Sequence, residues 1–320
     1  MTSKPRIIFM GTPDFAVASL AAMHEAGHQV VAVITAPDKP AGRGRKLRPS
    51  AVKQYALEQN LPILQPSNLK DELFLAELKA LKAELQVVVA FRMLPKVVWQ
   101  MPPLGTFNLH ASLLPAYRGA APINWALING ENQSGVTTFM INEEIDTGAI
   151  LKQKTCEIGS RMNAGALHDA LMILGSKLVL ETIEELSMGK LKAKPQSEGS
   201  EKAAPKLNKE NTRIQWSSEA EVLYNFVRGL SPFPGAWTMA NISGTSGSCK
   251  IFALNLPSQV EQGLDLKLEP GKLMVKDKKL FVGCKNGHLE ILEMQLPGKR
   301  KMSVKDLLNG LRLSQEDHFL

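Results

Sequence analysis

The sequence predicts an α/β protein: a Rossmann-like, mostly parallel sheet followed by a C-terminal, OB-like β-barrel. Three observations carry this expectation. Through the first half, short apolar β-branched runs alternate with amphipathic stretches of helical period, the pattern of a parallel sheet covered on both faces. Between 190 and 211 the chain turns polar, rich in Lys, Pro, Ser, Glu and Gly, with little apolar periodicity. Beyond it lie short strand-like segments separated by Gly, Pro, Asn and Asp turns. The domains expected are 1–189, a linker at 190–211, and 212–320. At 320 residues the chain is long enough for two.

Arg6–Met10 is apolar and reads as the first strand, and Phe15–Ala26 has helical spacing and stops at Gly27. Val30–Thr35 is a second β-branched run. Pro49–Asn60 reads as helix, Pro62–Leu64 as a short strand, and Asn68–Lys82 as helix. Val87–Ala90 is a buried strand, Gly135–Ile141 another, and Ala164–Met188 a long amphipathic helix. After the polar stretch, Glu219–Gly229 looks helical. Strands are expected at Lys250–Leu254, Lys272–Val275, Lys279–Gly283 and His288–Leu292, and a last helix at Val304–Leu311. No fixed-period repeat is present.

Apolar residues make up 44% and charged residues 22%, which excludes a disordered chain. No apolar run reaches the roughly 20 residues that cross a bilayer. The N-terminal run breaks at Gly11-Thr12-Pro13, too early for a secretory leader. Cys156, Cys249 and Cys284 are far apart and odd in number, so neither a metal site nor a disulfide framework is expected. Reduced thiols and a cytoplasmic location fit. The net charge of +7 suits a polyanionic partner.

Strand-then-glycine at Phe9-Met10-Gly11-Thr12-Pro13 invites a dinucleotide reading. That fingerprint needs three glycines at set spacing. Only Gly11 is present, and Pro13 fits the first turn of a helix. Nicotinamide binding is therefore disfavoured.

The densest chemistry lies in Gly105–Gly119. Asn108 and His110 are two apart, and on a strand such residues point to one side. Histidine exchanges protons near neutral pH, and a carboxamide can donate to a developing oxyanion. The Ser112-Leu113-Leu114-Pro115 turn follows, then Arg118-Gly119. An acid would complete the set, and Glu143, Glu144 and Asp146 all lie just after the strand expected at Gly135–Ile141. In a parallel sheet both segments would end at the carboxyl edge, where ligands bind. Spacing does not choose among the three acids. Each of these residues also has a plainer reading, as a structural histidine, a turn asparagine or a solvated acidic loop.

His110–Gly119 with Ala120-Ala121-Pro122-Ile123, and Asp146-Thr147-Gly148, resemble the signature segments of the folate-dependent formyltransferases. Gly11–Ala16, Pro37–Gly44, Ala204–Leu207, Ile214–Trp216 and Arg228–Trp237 extend the likeness over nearly the whole chain. They match the branch whose acceptor is a charged initiator tRNA. The resemblance implies a formyltransferase fold and transfer from 10-formyltetrahydrofolate to the methionyl amino group, with no metal. It implies that Asn108 and His110 donate to the oxyanion, and it selects Asp146 as the carboxylate that accepts a proton through a water or holds His110 in the useful protonation state. It places the folate against Phe91, Arg92, Met93, Leu94, Ser112, Leu113, Leu114, Pro115, Glu143 and Glu144. The 90–95 segment looks one residue shorter than is usual and resembles the glycinamide ribonucleotide branch.

Lys39–Arg48 carries five cations with little acidic relief, which reads either as a solvated loop or as a phosphate-binding one. The resemblance makes Lys39, Arg43, Arg45, Lys46 and Arg48 tRNA contacts. Lys299, Arg300 and Lys301 would add a second phosphate-facing surface on the barrel. A monomer with no membrane partner is expected. Two alternatives stand beside this: formyl transfer to a small amine such as glycinamide ribonucleotide or an amino sugar, and a non-catalytic RNA-binding protein.

Overall fold

A computed structural model of the protein describes residues 4–41, 46–197, 202–242, 244–256, 266–311, 314 and 317–320. They fall into two compact units. The first holds 1–119, 133–157 and 168–203, and the second holds 120–132, 158–167 and 204–320. In chain order the first part runs β1 (Arg6–Gly11), α1 (Asp14–Glu25), β2 (Gln29–Ile34), β3 (Lys39–Ala41), β4 (Lys46–Arg48) and α2 (Ala51–Glu58). It continues with β5 (Ile63–Leu64), α3 (Glu72–Ala80), β6 (Leu85–Val89), α4 (Lys96–Trp99), β7 (Thr106–His110) and β8 (Arg118–Gly119). Then come α5 (Pro122–Ile128), β9 (Gln133–Met140), β10 (Ile150–Glu157), α6 (Ala164–Ser187) and β11 (Ala203–Ala204).

The main sheet of the first unit has the order β10-β9-β7-β6-β1-β2-β5. The five strands from β7 to β5 are parallel. The apolar run Ile7–Met10 is fully buried because β1 sits mid-sheet with both faces covered. In β6 one polar side chain, Gln86, is buried too, and it is satisfied by the Thr106 hydroxyl, which donates to its Oε1 at 2.9 Å. Helices α2 and α3 start where Ser50 and Asp71 accept hydrogen bonds from the Lys53 and Phe74 amides.

Helix α6 lies close against β7. A Cβ at Gly175 would stand 2.7 Å from Leu109 Cδ2, so a larger residue there would have to push the Leu109 side chain aside. Thr138 and Thr182 hydroxyls, 2.9 Å apart, join β9 to the same helix. Leu109 therefore faces α6, and alternation turns Asn108 and His110 to the opposite face.

Strand β9 departs from expectation. It runs antiparallel to β7, with Phe107 opposite Met140 and His110 opposite Thr137. Its C-terminal end thus lies at the edge where β7 begins, not at the shared carboxyl edge. The short connection 141–149 returns directly into β10 as a second antiparallel pair, since a parallel return would need a crossover of a dozen residues or more. Strand β10 itself carries no apolar run, because its outer face is exposed in alternate positions.

The turn from α1 to β2 buries His28, whose Nδ1 has no partner among the described residues. Burial, aided by the Lys4 cation and opposed by Glu184, holds its pKa below the ordinary imidazole value. The unfolded chain therefore takes up this proton first as pH falls, so the native state loses stability on acidification below about 6.5. The urea midpoint is expected to fall less between pH 7.5 and 5.5 in His28→Leu than in the parent. Equal falls would refute the assignment.

The second unit adds α7 (Ala220–Leu230), β12 (Ala236–Ile242), β13 (Thr245–Asn255), β14 (Leu273–Lys276), β15 (Lys279–Cys284) and β16 (Gly287–Gln295). It ends with β17 (Met302–Ser303), α8 (Val304–Leu308) and β18 (His318–Phe319). The order β14-β15-β16-β13-β12-β18 is antiparallel. Phe319 N–H donates to Gly271 O at 2.9 Å, just before β14, so the sheet curls into a nearly closed barrel. Its core takes Leu223 and Val227 from α7 with Ile251, Val282, Leu289 and Ile291. The last helix stops at Leu308, short of the expected Leu311.

Candidate active site

His110 ends β7 almost fully buried, 6% exposed, and Asn108 precedes it on the same face. The chain then turns through Ser112–Pro115. Thr137 of β9 pins this turn: its hydroxyl donates to Ser112 O at 2.6 Å and accepts from Leu114 N–H at 3.1 Å. Gln153 of β10 donates to Leu114 O and to the same hydroxyl. The Ser112 hydroxyl donates to Ala116 O at 2.6 Å. The turn is a built scaffold, and Ser112 and Leu114 are buried within it.

The turn brings the Tyr117 carbonyl back to the histidine, 2.8 Å from Nε2. A carbonyl only accepts, so Nε2 carries the proton and the neutral ring keeps its lone pair on Nδ1. Nδ1 faces Asp146 Oδ2 at 3.7 Å. Asp146 Oδ2 also accepts from the Gly119 amide at 2.9 Å. Asp146 stands at φ 55°, a left-handed conformation that costs an aspartate little but must be held by its surroundings. Gly148, two residues on, lies so close to β9 that a Cβ there would be 1.6 Å from Met140 O.

The three residues singled out for chemistry thus converge. Asn108 Oδ1 is shielded from solvent with no hydrogen-bond partner among the described residues. A buried acceptor without a partner is costly, and a ligand N–H or O–H that donates to Oδ1 relieves that cost, while the amide Nδ2 of the same carboxamide supplies a donor. A half-buried amide and a histidine whose Nδ1 faces a carboxylate suit acyl transfer, in which one group steadies a developing oxyanion and another moves a proton. Among the described residues no cluster of three His, Cys, Asp or Glu is placed to hold a metal.

The acids separate by partner. Glu143 pairs with Lys96, which holds its carboxyl below the usual range and ties the 141–149 loop to the start of α4. Glu144 is exposed. Leu94 is buried and Phe91 packs beside it, whereas Met93 is 65% exposed. Arg92 donates to the carbonyls of Pro66 and Ser67 and lies over the Phe91 ring. Leu113 and Pro115 are partly exposed in the pinned turn.

Of the basic residues, Lys39 and Arg48 are exposed and face each other across the β3–β4 pair. Arg43 and Arg45 lie outside the described residues, and Lys46 is described only in its backbone. Asp38 anchors the base of this pair, hydrogen-bonded by Gln65 and Lys53. Lys299, Arg300 and Lys301 are exposed in the second unit, where Lys301 pairs with Glu293 at 2.8 Å.

Gln196 was not among the residues expected at the site. It lies in the polar stretch at 190–211, where nothing in the local sequence marks it. Backbone bonds between Ile150 and Lys194, at 2.7 and 2.8 Å, carry it to the 141–149 loop.

The family model described as "Formyl transferase" matches residues 5–183, and "Formyl transferase, C-terminal domain" matches 206–312. A protein of Flavobacterium johnsoniae named "Methionyl-tRNA formyltransferase" is 53% identical over 98% of each chain. One of the same name from Bacteroides thetaiotaomicron is 51% identical over 97% of this chain and 96% of its own. Among solved structures, an N-formyltransferase from Helicobacter canadensis bound to folinic acid and dTDP-3-aminofucose superposes with a TM-score of 0.67. It is 21% identical, and the match covers 93% of this chain and all of that one. HypX from Aquifex aeolicus in complex with tetrahydrofolic acid gives 0.65 at 20% identity, over 98% of this chain and 49% of that one. At such identities the two structures share the fold.

Proposed function

Since the chain belongs to the formyl transferase family, we propose that it transfers a formyl group from 10-formyltetrahydrofolate to the amino group of methionyl-initiator tRNA. The observation that carries the chemistry is His110 Nδ1 facing Asp146 at 3.7 Å, with Asn108, whose Oδ1 has no partner among the described residues, two positions before the histidine on β7. The amine adds to the formyl carbon, and negative charge develops on the formyl oxygen. Asn108 donates to that oxygen, a charge-directed bond worth most where water is excluded. His110 Nδ1 accepts the proton leaving the amine. The ring then carries charge beside Asp146, which steadies it, and the proton passes to the departing folate nitrogen. Once protonated, Nδ1 also serves as the second donor to the oxyanion.

We assign the folate to Phe91, Arg92, Met93, Leu94, Ser112, Leu113, Leu114, Pro115, Glu143 and Glu144. The buried members form walls, and the turn offers backbone groups. Lys39, Arg43, Arg45, Lys46 and Arg48, with Lys299, Arg300 and Lys301, neutralise tRNA phosphates. The net charge of +7 supports a polyanionic acceptor.

The test is to supply labelled 10-formyltetrahydrofolate with methionyl-initiator tRNA, methionyl-elongator tRNA or glycinamide ribonucleotide and to follow the label. Label is expected on the initiator tRNA. Label on glycinamide ribonucleotide alone, or none transferred, would overturn the reading.

A further inference from the structure

Gln196 sits at the centre of a saturated network. Its Nε2 donates to two main-chain carbonyls, Asp146 O and Gly148 O, each at 2.8 Å. Its Oε1 accepts from Arg118 Nε at 3.0 Å and Nη2 at 2.6 Å. A carboxamide has two donor hydrogens and one oxygen with two lone pairs, and all are used. Arg118 makes no ion pair among the described residues, so its planar fork is given to this neutral oxygen. One carbonyl is Asp146's own and the other lies two residues on, so a single nitrogen clasps the main chain just as it leaves Asp146 in its left-handed conformation. That conformation in turn sets where the Asp146 carboxylate meets Gly119 N–H and His110.

We infer that Gln196, itself fixed by Arg118, is a positioning residue that holds Asp146 in place beside His110. The inference rests on the formyl-transfer reading and adds to it a residue that touches no reacting atom. Glutamate in its place would keep the size and the attraction to Arg118 but aim an oxygen at two carbonyl oxygens. Methionine would keep the length and remove every hydrogen bond.

The test uses the full chain with Gln196→Glu, Gln196→Met, Asp146→Asn and the double variant Asp146→Asn/Gln196→Met. Steady-state formylation is read beside hydrogen exchange of the 142–149 amides. Gln196→Glu and Gln196→Met are expected to lower kcat about 100-fold, the usual consequence of misplacing a reacting group by about 1 Å. The KM for the amine acceptor should stay within about threefold, because the residues assigned to it lie outside the 142–149 loop, whereas the KM for the folate rises with the kcat loss if Glu143 and Glu144 of that loop are displaced. The double variant should be no more than about threefold slower than Asp146→Asn, since the two residues act as one unit. Exchange at 142–149 should quicken in both Gln196 variants. Unchanged kcat, a rise in KM alone, multiplied losses in the double variant or unchanged exchange would overturn the inference. An inactive parent would instead overturn the proposed reaction, and the exchange arm would still decide the role of Gln196. If Gln196→Met fails to fold, Gln196→Glu carries the test.

Discussion

His110→Ala is expected to lower kcat for formyl transfer by about 100-fold or more, the range for loss of a positioned proton-transfer group. The argument is geometric. Nε2 is committed to the Tyr117 carbonyl, so every proton the ring exchanges must pass through Nδ1, which faces Asp146 at 3.7 Å. Alanine removes the proton acceptor and the partner of Asp146 in one change. It also removes the hydrogen bond from the ring to the Tyr117 carbonyl. Kinetics should therefore be measured beside a thermal melt and expressed per folded molecule. Turnover near the parent value would remove His110 from the chemistry.

The second large effect is expected at a residue with no side chain. Gly148→Ala would place a Cβ 1.6 Å from Met140 O and 2.8 Å from Met140 C. Both are main-chain atoms, so no rotamer change relieves the clash, and the 141–149 loop must move off β9. That shift carries Asp146 away from His110 and breaks the bond from Gln196 to Gly148 O. A displacement of about 1 Å at a reacting group costs about 100-fold in rate, and overpacking of this kind costs about 1–3 kcal/mol in stability. The expected result is a lower melting temperature with a kcat loss comparable to that of Asp146→Asn. Gly159→Ala, where an added Cβ meets nothing within 4 Å, is the control. Parent-like kcat in Gly148→Ala would show that the loop is not tightly seated.

Much of the sheet was readable because its central strands are buried on both faces. Ile7–Met10 and Val87–Val89 are continuous apolar runs for that reason. Strands β10 and β12 were not, because one alternates with exposed polar residues at a sheet edge and the other turns Ala236, Thr238 and Ala240 inward while the larger Trp237 and Met239 are only half-buried. Asn108 and His110 were legible from their two-residue spacing. Asp146 was not separable from Glu143 and Glu144 by spacing, and only the resemblance selected it. What sets it apart is a main-chain donor from Gly119, 27 positions away, whereas Glu143 is committed to Lys96. Gln196 had no local mark, since its role exists only once the chain has folded 50 positions back onto Asp146. Periodicity reports the burial of a segment. It does not report which distant peptide groups a side chain will meet.

The partner of His110 Nε2 is a peptide oxygen, and one donor to Asp146 is a peptide nitrogen. No codon change at Tyr117 deletes the oxygen, and at Gly119 only proline removes the donating N–H. The ring's tautomer and the carboxylate's seat are therefore inherited through the course of the main chain, with Tyr117 in a left-handed conformation at φ 62°. Mutational drift at these two positions disturbs the chemistry only insofar as it bends that course. The loop is thus tolerant of new side chains that accept its dihedral angles and intolerant of insertions that change its length.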